Sequence, residues 1–250
     1  MNNPKQNFFL TKNNQKIHYK FINNKSLNTI IFLHGLMSNI KSKKAKHLKK
    51  FANENKINLL LFEYSGHGRS SGKFTDLSIK NWAEDSRSII KKLINKNKIV
   101  LIGSSMGAWI AILLIKYFYK RIKGFIAIAP APDFTEELIW KKLNDIEKSK
   151  IKKNKIYKLK SSHNDFYPIT KKFIFDGKKI LVLNKKINCS FPVELLHGIK
   201  DSSVSWVYSI KLIKTLISKK LSLTFIDDGD HSLSRAQDLK KLDLAIKNII

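Results

Sequence analysis

Two kinds of apolar pattern alternate along the chain: unbroken apolar runs, and stretches in which apolar positions recur every three or four residues. Thr29-Ile30-Ile31-Phe32-Leu33, Asn58 to Tyr64, Lys98 to Ile102 and Gly124 to Ala129 are runs of the first kind. A strand covered on both faces needs no polar alternation, so each run predicts a central strand of a mostly parallel sheet. Pro192 to Leu196 and Leu221 to Ile226 predict two more. Asn7 to Thr11 and Lys16 to Phe21, around the polar turn Lys12 to Gln15, predict a hairpin at the start of the chain.

Between the strands lie helix-periodic stretches: Ser42 to Asn55, about Ser78 to Asn95 with Trp82, Ile89, Ile90, Leu93 and Ile94 on one face, and Ala108 to Tyr119. Val204 to Ser218 and Leu233 to Ile250 follow the same period. Ile169, Phe173, Ile174, Ile180, Leu181 and Leu183 also fall at helical spacing, which predicts a helix over 169–183 despite Gly177. Strands alternating with helices argue for an α/β architecture: an eight-stranded, mostly parallel, doubly wound sheet flanked by helices.

The rhythm breaks between Asp133 and Tyr167. This segment mixes Phe134, Leu138, Ile139, Trp140 and Leu143 with a lysine-rich stretch and Ser161-Ser162-His163-Asn164-Asp165. It reads as a small helical cap, inserted at about 133–167 over the carboxyl edge of the sheet. With no linker or internal repeat, residues 1–250 read as a single domain.

One segment carries candidate chemistry. Gly103-Ser104-Ser105-Met106-Gly107 joins the strand at Lys98 to the helix at Ala108. Strand, glycine-flanked serine and helix in that order predict a nucleophile elbow, a turn so tight that the positions two before and two after the nucleophile must be small. Gly103 and Gly107 meet that condition for Ser105. Ser104 would be flanked by Ile102 and Met106.

A serine hydroxyl becomes a useful nucleophile only when a base takes its proton and a third group orients that base. His231, in the glycine turn Asp227-Asp228-Gly229-Asp230-His231 after the last strand, is the candidate base. Asp201, in His197-Gly198-Ile199-Lys200-Asp201 after the preceding strand, is the candidate acid. Asp227, Asp228, Asp230 and Asp133 remain as rivals for that place, with turn formation as the alternative role of the first three. The backbone N–H groups of Met106 and Leu36 are the candidate oxyanion donors. His34 and His67 read as loop-stabilising, and the scattered histidines offer no metal-ligand spacing, so neither a metal nor another cofactor is expected.

Phe32-Leu33-His34-Gly35-Leu36, Phe62-Glu63-Tyr64-Ser65-Gly66-His67-Gly68-Arg69-Ser70-Ser71-Gly72, Ile102 to Trp109 and Leu195 to Asp201 together resemble the α/β-hydrolases over nearly the whole chain. They look like the branch that includes the mitochondrial palmitoyl-protein thioesterase, also known as an acyl-glucuronide esterase, and its bacterial relatives. The resemblance implies hydrolysis of acyl esters or thioesters through an acyl-serine. Ala108 departs from it where a second glycine is expected after Gly107. Trp109, Phe134 and Trp140 are the aromatic candidates for an apolar acyl pocket. A serine aminopeptidase or monoacylglycerol-lipase-like hydrolase of the same fold is the runner-up, with Glu136 and Glu137 as the carboxylates a peptidase would need. A non-catalytic basic module that binds lipid or nucleic acid is the reading from another class.

Composition changes this picture in two respects. The single cysteine, Cys189, excludes an intramolecular disulfide and a multi-cysteine metal site. Met1 to Lys16 lacks the apolar run of a signal peptide and nothing later approaches a membrane span, so a cytoplasmic location is expected. The formal net charge of +29 would attract polyanions. Yet of 48 basic residues only Arg69, Arg87, Arg121 and Arg235 are arginine, the residue suited to bidentate phosphate recognition. The lysines are spread along the whole chain, so solvated helix faces are expected rather than a specific nucleic-acid site. Hydrolysis of a small neutral ester should therefore change little between low and moderate salt, while DNA or anionic-lipid binding weakens steeply. A polyanion complex that survives moderate salt and alters turnover would overturn this account.

Overall fold

The computed structural model describes residues 7–160 and 166–250. The polar stretch from Ser161 to Asp165, with His163, lies outside the described residues. Among the described residues, twelve strands and seven α-helices follow in this order: β1 (Asn7–Leu10), β2 (Lys16–Ile22), β3 (Asn28–Leu33), α1 (Lys43–Glu54), β4 (Asn58–Phe62), α2 (Ile79–Leu93), β5 (Lys98–Ser104), α3 (Met106–Phe118), β6 (Ile122–Ile128), α4 (Asp145–Lys152), β7 (Tyr157–Lys160), β8 (Phe166–Ile169), α5 (Lys171–Lys178), β9 (Ile187–Asn188), β10 (Val193–Gly198), α6 (Val207–Ile213), β11 (Leu216–Ile217), β12 (Leu221–Ile226) and α7 (Ala236–Lys247).

Eight strands form one sheet in the order β1-β2-β4-β3-β5-β6-β10-β12. The pairs β1/β2 and β2/β4 are antiparallel and every later pair is parallel. The continuous apolar runs are explained by burial on both sides. In β3, Ile31 and Leu33 join one core with Trp82 of α2 and Ile110 of α3, while Ile30 and Phe32 join a second with Leu48 of α1 and Ile246 of α7. Helix α3 is apolar on nearly every face because it lies inside the first layer; Trp109, Ile110 and Leu114 are all fully buried.

Three expectations change. The helix expected over 169–183 spans only Lys171–Lys178: Ile169 belongs to β8, and Thr170 caps the helix by accepting from the Phe173 N–H at 3.1 Å. Beyond it the Val182 and Leu183 N–H groups donate to the Asp133 carboxylate at 2.8–3.0 Å, which draws the chain out of helical geometry while its apolar side chains still face the core. Helix α6 covers only part of Val204–Ser218, because the Ser203 and Val204 N–H groups are committed to Asp201 and Leu216–Ile217 pairs with β9. The segment expected as a helical cap is only partly helical. It holds a π-helical turn (Thr135–Ile139), a 3-10 turn (Trp140–Lys142) and α4, followed by the antiparallel pair β7/β8.

His34 and His67 sit in a buried aromatic group beside the carboxyl end of β3. Their ring centroids are 5.3 Å apart, with Tyr64 4.3 Å from His34 and Trp82 4.8 Å from His67. Burial is the main cause that lowers their pKa values, to about 3 for His34 and about 4 for His67. An unfolded chain takes up these protons near pH 6.5, whereas the folded one stays neutral there. Stability should therefore fall as pH drops from about 6.5 towards 4. A His67→Phe variant should lose less stability over that interval, as measured by chemical denaturation at stepped pH. An equal loss in both proteins would rule out this origin.

Candidate active site

The candidate site forms where β5, β10 and β12 end on the same edge of the sheet. Ser105 stands between β5 and α3 with φ of 54° and ψ of −118°, in the sparsely populated left-handed half of backbone space. The flanking glycines make the turn possible. A Cβ on Gly103 would lie 2.5 Å from the Gly107 carbonyl oxygen, and one on Gly107 only 1.9 Å from the Leu33 carbonyl oxygen. Both contacts are with backbone, so no side-chain movement could relieve them. Ala108, the departure from the expected pattern, is fully buried. Ser104 closes β5 opposite Ile128.

The His231 ring spans the other two loops. Its Nε2 is 3.0 Å from the Ser105 Oγ and its Nδ1 is 2.7 Å from the Asp201 Oδ2. The second Asp201 oxygen accepts from the Ser203 and Val204 N–H groups at 2.9 and 2.8 Å. His197, fully buried, adds its Nε2 at 3.2 Å from the Asp201 Oδ2 and anchors its other nitrogen on the Ser209 hydroxyl at 2.7 Å. Burial alone would raise the Asp201 carboxyl. The hydrogen bonds from His197 and His231, with the backbone donor of Val204, outweigh it and hold the carboxyl well below the usual carboxylate range.

Three of the four rival acids have other partners. Asp133 holds the 182–183 backbone, Asp230 accepts from the Leu233 N–H at 2.9 Å, and Asp228 pairs with Arg235 at 2.6 Å. Of the aspartates weighed for the acid position, Asp201 is the one in contact with the His231 ring.

Leu36 and Met106 both line the cleft around Ser105. The backbone at Gly35 runs close to the serine: a Cβ placed there would be 3.5 Å from the Ser105 Cβ. Among the described residues, neither the Leu36 nor the Met106 N–H is used in a loop, turn or cap hydrogen bond. Met106 also opens α3, where the helix dipole is positive.

The cleft measures about 1380 Å³ and has Ser105 and His231 in its wall. Of the three aromatic residues expected to line it, Phe134 does so and the tryptophans do not. Trp109 points into the core, with its ring edge-on to Phe134 at 5.8 Å and its Nε1 donating to the Ile180 carbonyl at 3.4 Å. Trp140 packs against Phe175 at 5.4 Å, with Lys148 and Lys152 over its ring. Glu136 and Glu137, considered for an amine pocket, lie outside the cleft and face lysines: Glu137 pairs with Lys141 and Lys211, and Glu136 is 4.0 Å from Lys178.

The apolar wall comes instead from residues that sequence reasoning did not select, Leu138, Leu159, Phe166 and Tyr167. Leu159 and Tyr167 are partners across the β7/β8 pair. The alternation in Tyr157-Lys158-Leu159-Lys160 was the available signal, but four residues in a lysine-rich stretch give a weak period.

Among the described residues no helix is long and apolar enough to cross a membrane, and no group of three or more His, Cys, Asp or Glu side chains is placed to hold a metal ion.

The family described as "Serine aminopeptidase, S33" matches residues 24–172. The chain is 28% identical over 223 residues to the mitochondrial palmitoyl-protein thioesterase ABHD10 of Rattus norvegicus, covering 88% of this chain and 74% of that protein. A solved structure of an Agrobacterium vitis S4 protein superposes with a TM-score of 0.93 at 31% identity, covering 98% of both chains. Mouse alpha/beta hydrolase domain-containing protein 10 superposes with a TM-score of 0.88 at 25% identity, again covering 98% of both. The match to the family extends over more than half of the chain, so the chain belongs to the serine aminopeptidase S33 family of α/β-hydrolases, and its activity is that of an ester or thioester hydrolase.

Proposed function

We propose that the protein cleaves acyl esters or thioesters through an acyl-serine intermediate, with Ser105 as nucleophile, His231 as base and Asp201 as its orienting acid. The observation that carries this reading is the hydrogen-bonded series from Ser105 through His231 to Asp201, at 3.0 and 2.7 Å, in the wall of a cleft with one apolar side. The name of the rat relative, a palmitoyl-protein thioesterase, supports an acyl substrate.

In this mechanism the Ser105 hydroxyl gives its proton to the His231 Nε2 as its oxygen attacks the acyl carbonyl carbon. The carbonyl oxygen takes the electron pair and becomes an oxyanion, which the Leu36 and Met106 N–H groups stabilise. The tetrahedral centre collapses, the bond to the alkoxide or thiolate breaks, and the imidazolium protonates the departing group. Water then repeats the sequence on the acyl-serine and releases a carboxylic acid. Asp201 keeps the proton on Nδ1, which leaves Nε2 free as the base.

An aminopeptidase is the weaker reading. A substrate ammonium needs a free carboxylate within the cleft; Glu136 and Glu137 are paired with lysines outside it, and Asp230, which does line the cleft, accepts from the Leu233 N–H and faces the Lys44 ammonium. The single domain 1–250, the cap at about 133–167 and the cytoplasmic location belong to this proposal; the lone cysteine, Cys189, supports a reducing compartment.

A Ser105→Ala variant should lose both ester hydrolysis and labelling by a fluorophosphonate probe, while Ser104→Ala keeps most of both. The opposite pattern would transfer the nucleophile to Ser104. Asp201→Asn should remain folded and turn over roughly 10⁴-fold more slowly, with Asp133→Asn having the smaller kinetic effect. If Asp133→Asn shows the large loss instead, the acid assignment fails. Acyl esters and thioesters of graded chain length then define the substrate.

A further inference from the structure

Lys44 has no place in the mechanism above, yet it lines the same cleft. It stands in the first turn of α1, where the helix dipole is positive and a cation is unfavourable. It is also buried, which is uncommon for lysine unless the ammonium is engaged. Helix stability and solvation therefore both fail to explain its position.

Its partners do explain it. The Lys44 Nζ donates to the Ser232 carbonyl oxygen and to the Ser234 Oγ at 3.3 Å. Ser232 directly follows His231, and the Ser234 hydroxyl donates back to the same Ser232 carbonyl at 2.9 Å. Asp230 and Asp238 attract the ammonium through space, but burial outweighs them and brings its pKa down to about 8. Farther along α1, His47 meets Asp243 of α7 at 2.6 Å, so the helix that carries Lys44 is itself anchored.

We propose that Lys44 is a positioning residue: it ties the loop that carries His231 to α1 and so holds the imidazole in reach of Ser105. The opposite side of this loop is held by the acid loop, where the Lys200 N–H donates to the Gly229 carbonyl at 3.0 Å. Without Lys44 the loop loses its tie to α1 and keeps those to the acid loop and, through Asp228 and Arg235, to the start of α7, so the base swings relative to the serine. The apolar wall of Leu138, Leu159, Phe166 and Tyr167 is untouched. The loss accordingly appears in kcat and leaves KM nearly constant.

The inference rests on the hydrolase reading for its kinetic part alone. In Lys44→Met, which keeps an unbranched apolar stem, amide exchange followed by mass spectrometry should speed up in 227–235 and stay unchanged in α2 and α3. With a neutral acyl ester, kcat should fall about 10- to 100-fold, the cost of a small misplacement of a reacting group. Unchanged exchange in 227–235 overturns the proposal, as does a loss confined to the KM of an anionic ester, which would make Lys44 a substrate-binding cation. If Lys44→Met does not fold, Ser234→Ala removes one acceptor of the ammonium and should give a smaller change of the same sign in both readouts. No change in either readout overturns the proposal. Fluorophosphonate labelling of the unmodified protein separates the two readings: absence of labelling defeats the hydrolase assignment, while the exchange result still decides the role of Lys44.

Discussion

The close approach of α3 to the end of β3, made at Gly107, is the constraint on which the rest of the site depends. With a Cβ position only 1.9 Å from the Leu33 carbonyl oxygen, this is a contact that any other residue would prevent. The chain can reach it from β5 only by turning within one residue, and that residue is Ser105 with its positive φ. The strained backbone projects the hydroxyl into the cleft instead of into the helix. The same crossing sets the Met106 N–H at the start of α3 beside the loop that leaves β3 at Gly35. The candidate nucleophile and both candidate donors thus depend on one steric condition, which makes their mutual geometry rigid.

A second close approach serves the candidate base and its candidate acid. A Cβ on Gly198 would lie 2.2 Å from the Gly229 carbonyl oxygen, so the loops after β10 and β12 touch backbone to backbone. These strands are parallel neighbours in register up to Gly198 and Ile226, and both chains leave the sheet side by side. Asp201 and His231, 30 positions apart in sequence, are brought together by that adjacency. The sheet order supplies the remaining contact, since β6 alone separates β5 from β10.

These two approaches explain why the candidate site was legible in the sequence and its surroundings were not. Glycine at 103, 107, 198 and 229 marks places where backbone must meet backbone, and such places can be read from one chain. The central strands were legible for a related reason: burial on both faces writes an unbroken apolar run. The cap has neither property. Its apolar residues are shared between helical turns, a short strand pair and the shell of the core, and the period of each piece is too brief to separate them. Trp109 and Trp140 were misassigned to the cleft because an aromatic side chain reads the same whether it faces a ligand or the core. Leu159 was missed because lysines flank it on both sides, and Tyr167 because it follows a polar stretch and precedes a proline. The 169–183 helix was overextended because Asp133, distant in sequence, claims two of the N–H groups that a longer helix would have used.

The carboxylates carry this reasoning one step further. The chain has only 19 acidic residues against 48 basic ones, and among the described residues five are buried: Glu63, Asp85, Asp133, Asp201 and Asp238. Each accepts from backbone N–H groups in a turn, loop or helix cap: Arg69 for Glu63, Ser65 for Asp85, Val182 and Leu183 for Asp133, Ser203 and Val204 for Asp201, and Arg235 for Asp238. Acid residues are thus retained in the interior as organisers of loops, a role that a lysine cannot fill because it has no acceptor. Asp201 performs that role with one oxygen and holds the His231 ring with the other. Because loop organisation and base orientation begin from the same chemistry, the sequence left several aspartates open as the acid. The distinction lies in the second oxygen, and only the position of a histidine in space reveals it.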